Sequence, residues 1–143
     1  MRIQSILARK GGFVATIHPD ASVFDASRRL SEHRIGALVV TADAEHIDGI
    51  LSERDIALAI ADHGERAVRM RVADLMSHDV RTCRPTDSID GLMATMTEHR
   101  IRHVPVIDDG RLIGVLSIGD AVKARMDQLE FERDQLNNYV AGG

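Results

Sequence analysis

The chain alternates short apolar runs with amphipathic stretches, and it does so twice. "FVATI" (Phe13–Ile17) is a β-like run that ends before Pro19, and "VRTC" (Val80–Cys83) is one that ends before Pro85. Proline cannot donate to a ladder, so both runs are predicted as short strands that stop there. Val23, Ala26, Ser27, Leu30 and Arg34 then share one stripe at helical spacing, as do Ile89, Leu92, Met93 and Met96. Ser22 and Ser88 stand where N-caps belong. "ALVVT" (Ala37–Thr41) and "HVPVI" (His103–Ile107) predict the next strands, with Pro105 restricting its own to an edge or a special position. "IDGILS" and "RLIGVLS" close hairpins across the turns "ADAEH" and "DDG", and further helices start at Ser52 and Ser117.

The two halves superimpose as sequence. Setting Pro19 on Pro85 is an offset of 66 residues and brings Thr16 onto Thr82, Ser22 onto Ser88 and "EHRI" (Glu32–Ile35) onto "EHRI" (Glu98–Ile101). One residue is missing from the second hairpin turn; beyond it Gly49, Leu51, Ser52 and Asp55 meet Gly114, Leu116, Ser117 and Asp120. The chain is therefore a duplicated β-α-β-β-α unit of mixed α/β (α+β) class. Two copies are too few for a solenoid, so each is expected to bury its open face on the other with pseudo-two-fold symmetry. The expected division is a first repeat over 1–62, a polar linker over 63–70, a second repeat over 71–124, and a C-terminal helix and tail over 125–143. "IQSILA" (Ile3–Ala8) and "VADLM" (Val72–Met76) read as helical turns leading into the first and second copies, and the final "AGG" as frayed.

Composition narrows the chemistry. Three Phe, one Tyr and no Trp leave an aliphatic core, in which Met93 and Met96 belong. A net charge of −4 argues against bulk binding of nucleic acid, so an anionic ligand needs a local site. The single cysteine, Cys83, rules out an internal disulfide or a cysteine metal cluster; it reads as a small buried apolar residue and fits a reducing, cytoplasmic setting. The opening "MRIQSILARKGG" has no long apolar run and no cleavage-like site, so neither a signal peptide nor a membrane span is expected. His33 and His99, near helix ends, suit a favourable interaction with the helix C-terminus, and no metal site is expected.

"GILSERD" (Gly49–Asp55) and "GVLSIGD" (Gly114–Asp120) repeat Gly-apolar-apolar-Ser-x-x-Asp at the last strand–helix corner of each copy. Each could be a capping box, with Ser capping a helix amide and Asp reaching back. Each could also present a carboxylate to a neighbouring pair of hydroxyls, such as a ribose diol. The two roles are compatible.

The β-α-β-β-α order, the duplication and this signature resemble the cystathionine-β-synthase (CBS) domain pair. "HRIRHVPVIDDGRLIGVLSIGD" and "RIGALVV…IDGILSERD" carry the resemblance, which covers about residues 6 to 124. It implies a stand-alone regulatory pair that binds an adenosine-containing ligand in clefts between its repeats. AMP, ADP or ATP are the common ligands, with S-adenosylmethionine or NAD as others, and no catalytic cofactor is implied. The resemblance also implies a homodimer, often a flat disc of four repeats, and an unidentified regulated protein. In such pairs the signature Asp holds the ribose hydroxyls and the Ser lies near the ribose or phosphate. A basic pair at the start of the second strand meets the phosphate, and the first strand of the other repeat borders the adenine.

Carried over residue by residue, Asp120, Ser117, Arg102 and His103 form the fuller site, with Val104 and Pro105 beside them and Val14, Ala15, Thr16 and Ile17 as the facing wall. The chemistry is consistent. A helix N-terminus favours a phosphate, Arg102 adds a planar fork of donors, and His103 can gain charge near neutral pH. The second site has Asp55 and Ser52, bordered by Val80 and Thr82, but Gly36 and Ala37 replace the basic pair and only Arg54 offers charge. It is expected to be weaker. Two other function classes stay open. An enzyme is one, although no P-loop, Gly-x-Ser-x-Gly or metal motif is present. A structural or adaptor protein acting through the C-terminal helix is the other.

Overall fold

The computed structural model describes residues 1–11 and 13–142. After α1 (Ile3–Lys10), the first repeat runs β1 (Thr16–Ile17), α2 (Val23–His33), β2 (Ala37–Val40), β3 (Gly49–Ser52) and α3 (Glu53–His63). After α4 (Val72–Leu75), the second runs α5 (Ile89–His99), β4 (His103–Asp108), β5 (Arg111–Ser117) and α6 (Ile118–Gly142). β1 pairs parallel to β2, and β2 and β3 form an antiparallel hairpin; β4 and β5 form the matching hairpin. The class is mixed α+β, two repeats followed by the extension of a long C-terminal helix.

The helix ends follow from the sequence. Ser22 and Ser88 each accept a hydrogen bond from the backbone N–H three residues on, at 3.0 Å in both cases. Both "EHRI" stretches terminate a helix. Arg34 and Arg100 take the left-handed conformation, at φ 53 and 54, and the N–H of Ile35 and Ile101 returns to the carbonyls of Leu30 and Met96.

The second copy lacks the strand expected at Val80–Cys83. Only Cys83 bridges, to Val106: its N–H donates to Pro105 O at 3.0 Å, and its carbonyl accepts from Ile107 N–H at 2.8 Å. Pro105 is the reason. A residue's N–H and C=O point to the same side of a strand, so Pro105 turns its missing donor toward this segment and away from β5. Val39, the matching residue of the first copy, keeps its N–H, and there the parallel pairing extends one residue further, to Thr16.

The leading helices cross over. α1 docks on the second repeat, where Ile3 and Ile6 enter a core with Cys83, Ile89, Leu92, Met96, Val104, Val106 and Leu116. α4 docks on the first, where Val72 joins Ile17, Ala26, Leu30, Leu38, Val40 and Leu51. The hydrogen bonds match position by position. Ile3 N–H donates to Asp87 O as Val72 N–H does to Ala21 O, and Gln4 to Pro85 as Ala73 to Pro19. Ile89 donates to Met1 as Val23 does to Met70. Each leader thus completes the copy other than the one that immediately follows it in sequence, contrary to the sequence-based expectation, because its apolar face fits the groove left open beside the other hairpin. Close approach there depends on glycine. A Cβ on Gly49 would meet Met76 Sδ and Ser77 O at 2.8 Å, and one on Gly114 would meet Leu7 Cδ2 at 2.6 Å.

Two more segments differ from the sequence reading. The stretch read as a linker is folded, with α3 reaching His63 and a 3-10 helix over Gly64–Arg69 that buries Ala67 completely. α6 continues unbroken past residue 124 and keeps Ala141 and Gly142 helical rather than frayed; Gly143 lies outside the described residues.

Candidate functional site

Both signature corners are capping boxes. At α3, Ser52 N–H and Oγ–H donate to Asp55 Oδ2 at 2.8 and 3.0 Å, and Asp55 N–H returns to Ser52 Oγ at 3.3 Å. At α6, Ser117 N–H and Oγ–H donate to Asp120 Oδ2 at 2.8 and 3.0 Å, and Asp120 N–H returns to Ser117 Oγ at 3.2 Å. In each, Oδ2 does the capping. Neither Oδ1 takes a hydrogen bond among the described residues, so capping leaves an acceptor oxygen at both corners.

The corners differ in what surrounds them. Lys10, from the last turn of α1, donates to Asp120 Oδ2 at 2.7 Å and to Val115 O at 2.7 Å. Burial pushes the Asp120 carboxyl up, but the bonds from Lys10 and Ser117 outweigh it and hold the group below its ordinary value. Arg9, one residue earlier, pairs with Asp127 of α6 at 2.9 Å. Among the described residues Asp55 has no cationic partner. The contrast follows from the leaders: α1 has eight residues and carries Arg9 and Lys10 to α6, whereas α4 has four, and the positions that match Arg9 and Lys10 are His78 and Asp79, past its end.

Hairpin pairing brings the expected basic pair to the Asp120 corner. His103 lies opposite Ser117 in the β4–β5 ladder, and Ile118 N–H donates to Arg102 O at 2.8 Å. Arg102 is exposed and His103 half-buried. Burial lowers the His103 pKa first; the Lys10 and Arg102 charges lower it further, against Glu53 and Asp120, so the ring is held toward its neutral form. His103 also faces the first repeat. A Cβ on Gly36 would sit 3.1 Å from His103 Nε2 and 2.9 Å from Glu53 Oε1. The lack of a side chain at Gly36 therefore leaves the space that the His103 ring fills, and His103 stands between the two corners.

The remaining expected residues fall elsewhere. Val14, Ala15 and Thr16 are half-buried, and Ile17 is a core residue of the first repeat. Ala37 is buried opposite Ser52 in the β2–β3 ladder, and Arg54 is exposed on the first turn of α3. Val80 is half-buried. Val104 and Thr82, assigned in the sequence to different sites, line one cavity of about 240 Å³ beside α5, since the Cys83 bridge lays that segment along β4. Pro105 is buried, its carbonyl taken by Cys83. A cavity of about 250 Å³ between α1 and α6 reaches Asp120 from the side of Lys10, Arg9 and Lys123, and of the expected site residues it includes Asp120 alone. Val14–Ile17 do not line it.

Lys10 and Glu53 are the site residues that the sequence reading missed. Glu53 was visible as a variable position of "GILSERD". Lys10 lies in a leader that sequence adjacency assigns to the other repeat.

A family model for the CBS domain matches residues 13–62 and 72–127. The chain belongs to the CBS domain family and is built as a tandem CBS pair. It is 38% identical over 128 residues to the CBS domain-containing protein CBSX3, mitochondrial, of Arabidopsis thaliana, covering 87% of this chain and 62% of that relative's length. Among solved structures, the CBS-domain containing protein ATU1752 from Agrobacterium tumefaciens matches with a TM-score of 0.84 and 43% identity, over 87% of this chain and 92% of that one. The CBS domain pair of protein MJ0100, in complex with 5′-methylthioadenosine and S-adenosyl-L-methionine, matches with a TM-score of 0.77 and 25% identity, over 87% and 98% of the two chains. CBS domain proteins are generally regulatory, ligand-binding modules rather than catalysts.

Proposed function

We propose that this chain is a regulatory module that binds an adenosine-containing nucleotide at the Asp120 corner, between its repeats, and does not turn it over. AMP is the first candidate, followed by ADP, ATP and NAD. One observation carries the reading: the Asp120 carboxylate is fixed through Oδ2, its Oδ1 is left without a partner among the described residues, Lys10 is bonded to the same carboxylate, and His103 stands opposite Ser117 with Arg102 next to it in the chain. A carboxylate oxygen suits a ribose hydroxyl, and the Lys10 and Arg102 charges suit a phosphate, with the largely neutral His103 ring as a further polar partner. The two ligands named with MJ0100 both contain adenosine, which supports the ligand class. Occupancy would bias the relative arrangement of the repeats, and an unidentified protein would read that bias.

The setting we infer is the cytoplasm, which the single buried Cys83 fits. No helix among the described residues is long and apolar enough to cross a membrane, and the net charge of −4 makes nucleic acid an unsuitable partner. The alternative is an adaptor with no physiological nucleotide, favoured by the exposed apolar stripe along α6. A thermal-shift panel of AMP, ADP, ATP, NAD, NADH and S-adenosylmethionine separates the two. A ligand at a hundredfold excess over its Kd stabilises by about 2.7 kcal/mol, which raises Tm by several degrees. The proposal requires such a rise from at least one phosphate-bearing member; a flat panel rejects it in favour of the adaptor.

A further inference from the structure

From Leu129 to Gly142 every residue of α6 is exposed. A helix of fourteen residues that buries none of its side chains is marginal in water, and this one carries two Asn and a Gly. Its apolar residues are ordered. Val122, Met126, Leu129, Arg133, Leu136 and Val140 follow steps of four and three in strict alternation. That is the a/d spacing of a heptad repeat, with Val122, Leu129 and Leu136 at d and Met126, Arg133 and Val140 at a. Leu136 is 63% exposed and Val140 72%. Ala121 and Ala124, which dock α6 on the second repeat, are turned away from this stripe, so the body does not obstruct it.

We propose that this stripe is one half of a parallel, two-stranded coiled coil formed with a second copy of the chain. Charge selects the orientation. In the parallel arrangement Arg125, at g, lies opposite the partner's Glu130 at e, and Arg133 in the core lies beside the partner's Glu132. The antiparallel arrangement that buries the same layers is centred on Phe131, and it sets Glu130 against the partner's Glu130 and Glu132 against the partner's Glu132. Arg125 also lies 3.6 Å from Asp90 of its own chain, a weak pair between a half-buried Arg and an exposed Asp that leaves the guanidinium able to serve both. Arg133 replaces an apolar core residue, which fixes register and keeps the association reversible.

The test uses the full chain. Sedimentation equilibrium follows dimerisation of the wild type, Arg133→Ile and Leu136→Asp, and mild oxidation follows cross-linking of Leu136→Cys and Phe131→Cys. Cys83 is buried, with its thiol pushed up to about 12 by burial and then by Asp87, so the introduced thiol is the reactive one. The proposal requires Arg133→Ile to tighten the dimer by about tenfold or more, and Leu136→Asp to dissociate it with Tm of the body unchanged. It also requires a covalent dimer from Leu136→Cys and none from the outward-facing Phe131→Cys. A monomeric wild type, a dimer indifferent to both seam substitutions, or preferential cross-linking through position 131 overturns it.

Discussion

His103 is where the two repeats meet at the level of single atoms. Its ring occupies the space above Gly36, and its proton affinity is depressed by burial first and by Lys10 and Arg102 next. As pH falls, the unfolded chain therefore takes up the proton on this residue before the folded one does. The stability that depends on a neutral His103 is complete above the ordinary histidine value of about 6.5 and is lost as pH drops below it. Urea denaturation of wild type and His103→Gln at pH 7.5 and 5.5 measures this. The wild type is expected to lose more stability over that interval than the variant; parallel losses contradict the assignment. A phosphate beside His103 opposes the same depression, so ligand and proton are expected to bind with positive coupling.

At the scale of elements, the fold is held by an exchange of leaders. α1 closes the second repeat and α4 the first, and each passes over a glycine of the hairpin it covers. The two glycines are not equally constrained. A Cβ at Gly114 meets the far end of the flexible Leu7 side chain, whereas one at Gly49 meets the Ser77 carbonyl as well as Met76. Gly49→Ala is expected to cost about 1–3 kcal/mol, the range for overpacking, and Gly114→Ala less. Chemical denaturation of the pair checks the order, and a larger loss at Gly114 contradicts it. The elements themselves were largely legible, since "EHRI" marks both helix ends and the apolar runs mark both hairpins. The exchange was not. Sequence adjacency assigns Ile3–Ala8 to the copy that follows it, and nothing in a one-dimensional pattern tells an apolar face which groove it will fill. The expected strand at Val80–Cys83 failed for a related reason, because its length depends on the N–H that Pro105 lacks, about twenty residues further on.

For the whole molecule, duplication makes two similar corners, and the residues brought to them make them different: Lys10 from α1 has Asp79 as its match after α4, and Arg102 and His103 have Gly36 and Ala37. Asp55 and Asp120 were visible in the sequence as equivalents, and the basic pair at Arg102 and His103 already distinguished them. Lys10 was hidden, because its proximity to Asp120 arises only from the leader exchange. The Asp120 corner thus concentrates charge from three separate segments of the chain. The Asp55 corner keeps the cap and the carboxylate, with only the exposed Arg54 of its own turn for positive charge. This asymmetry, with nucleotide held at Asp120, is the central claim. Calorimetric titration of AMP into wild type, Asp120→Asn and Asp55→Asn tests it most directly, since Asn keeps one acceptor oxygen for the cap and replaces the other, with its charge, by an NH2 donor. Asp120→Asn is expected to weaken binding by about tenfold or more, the loss of a charge-assisted hydrogen bond, while Asp55→Asn changes it less than twofold at that site. Equal losses in the two variants, or a loss confined to Asp55→Asn, would contradict it.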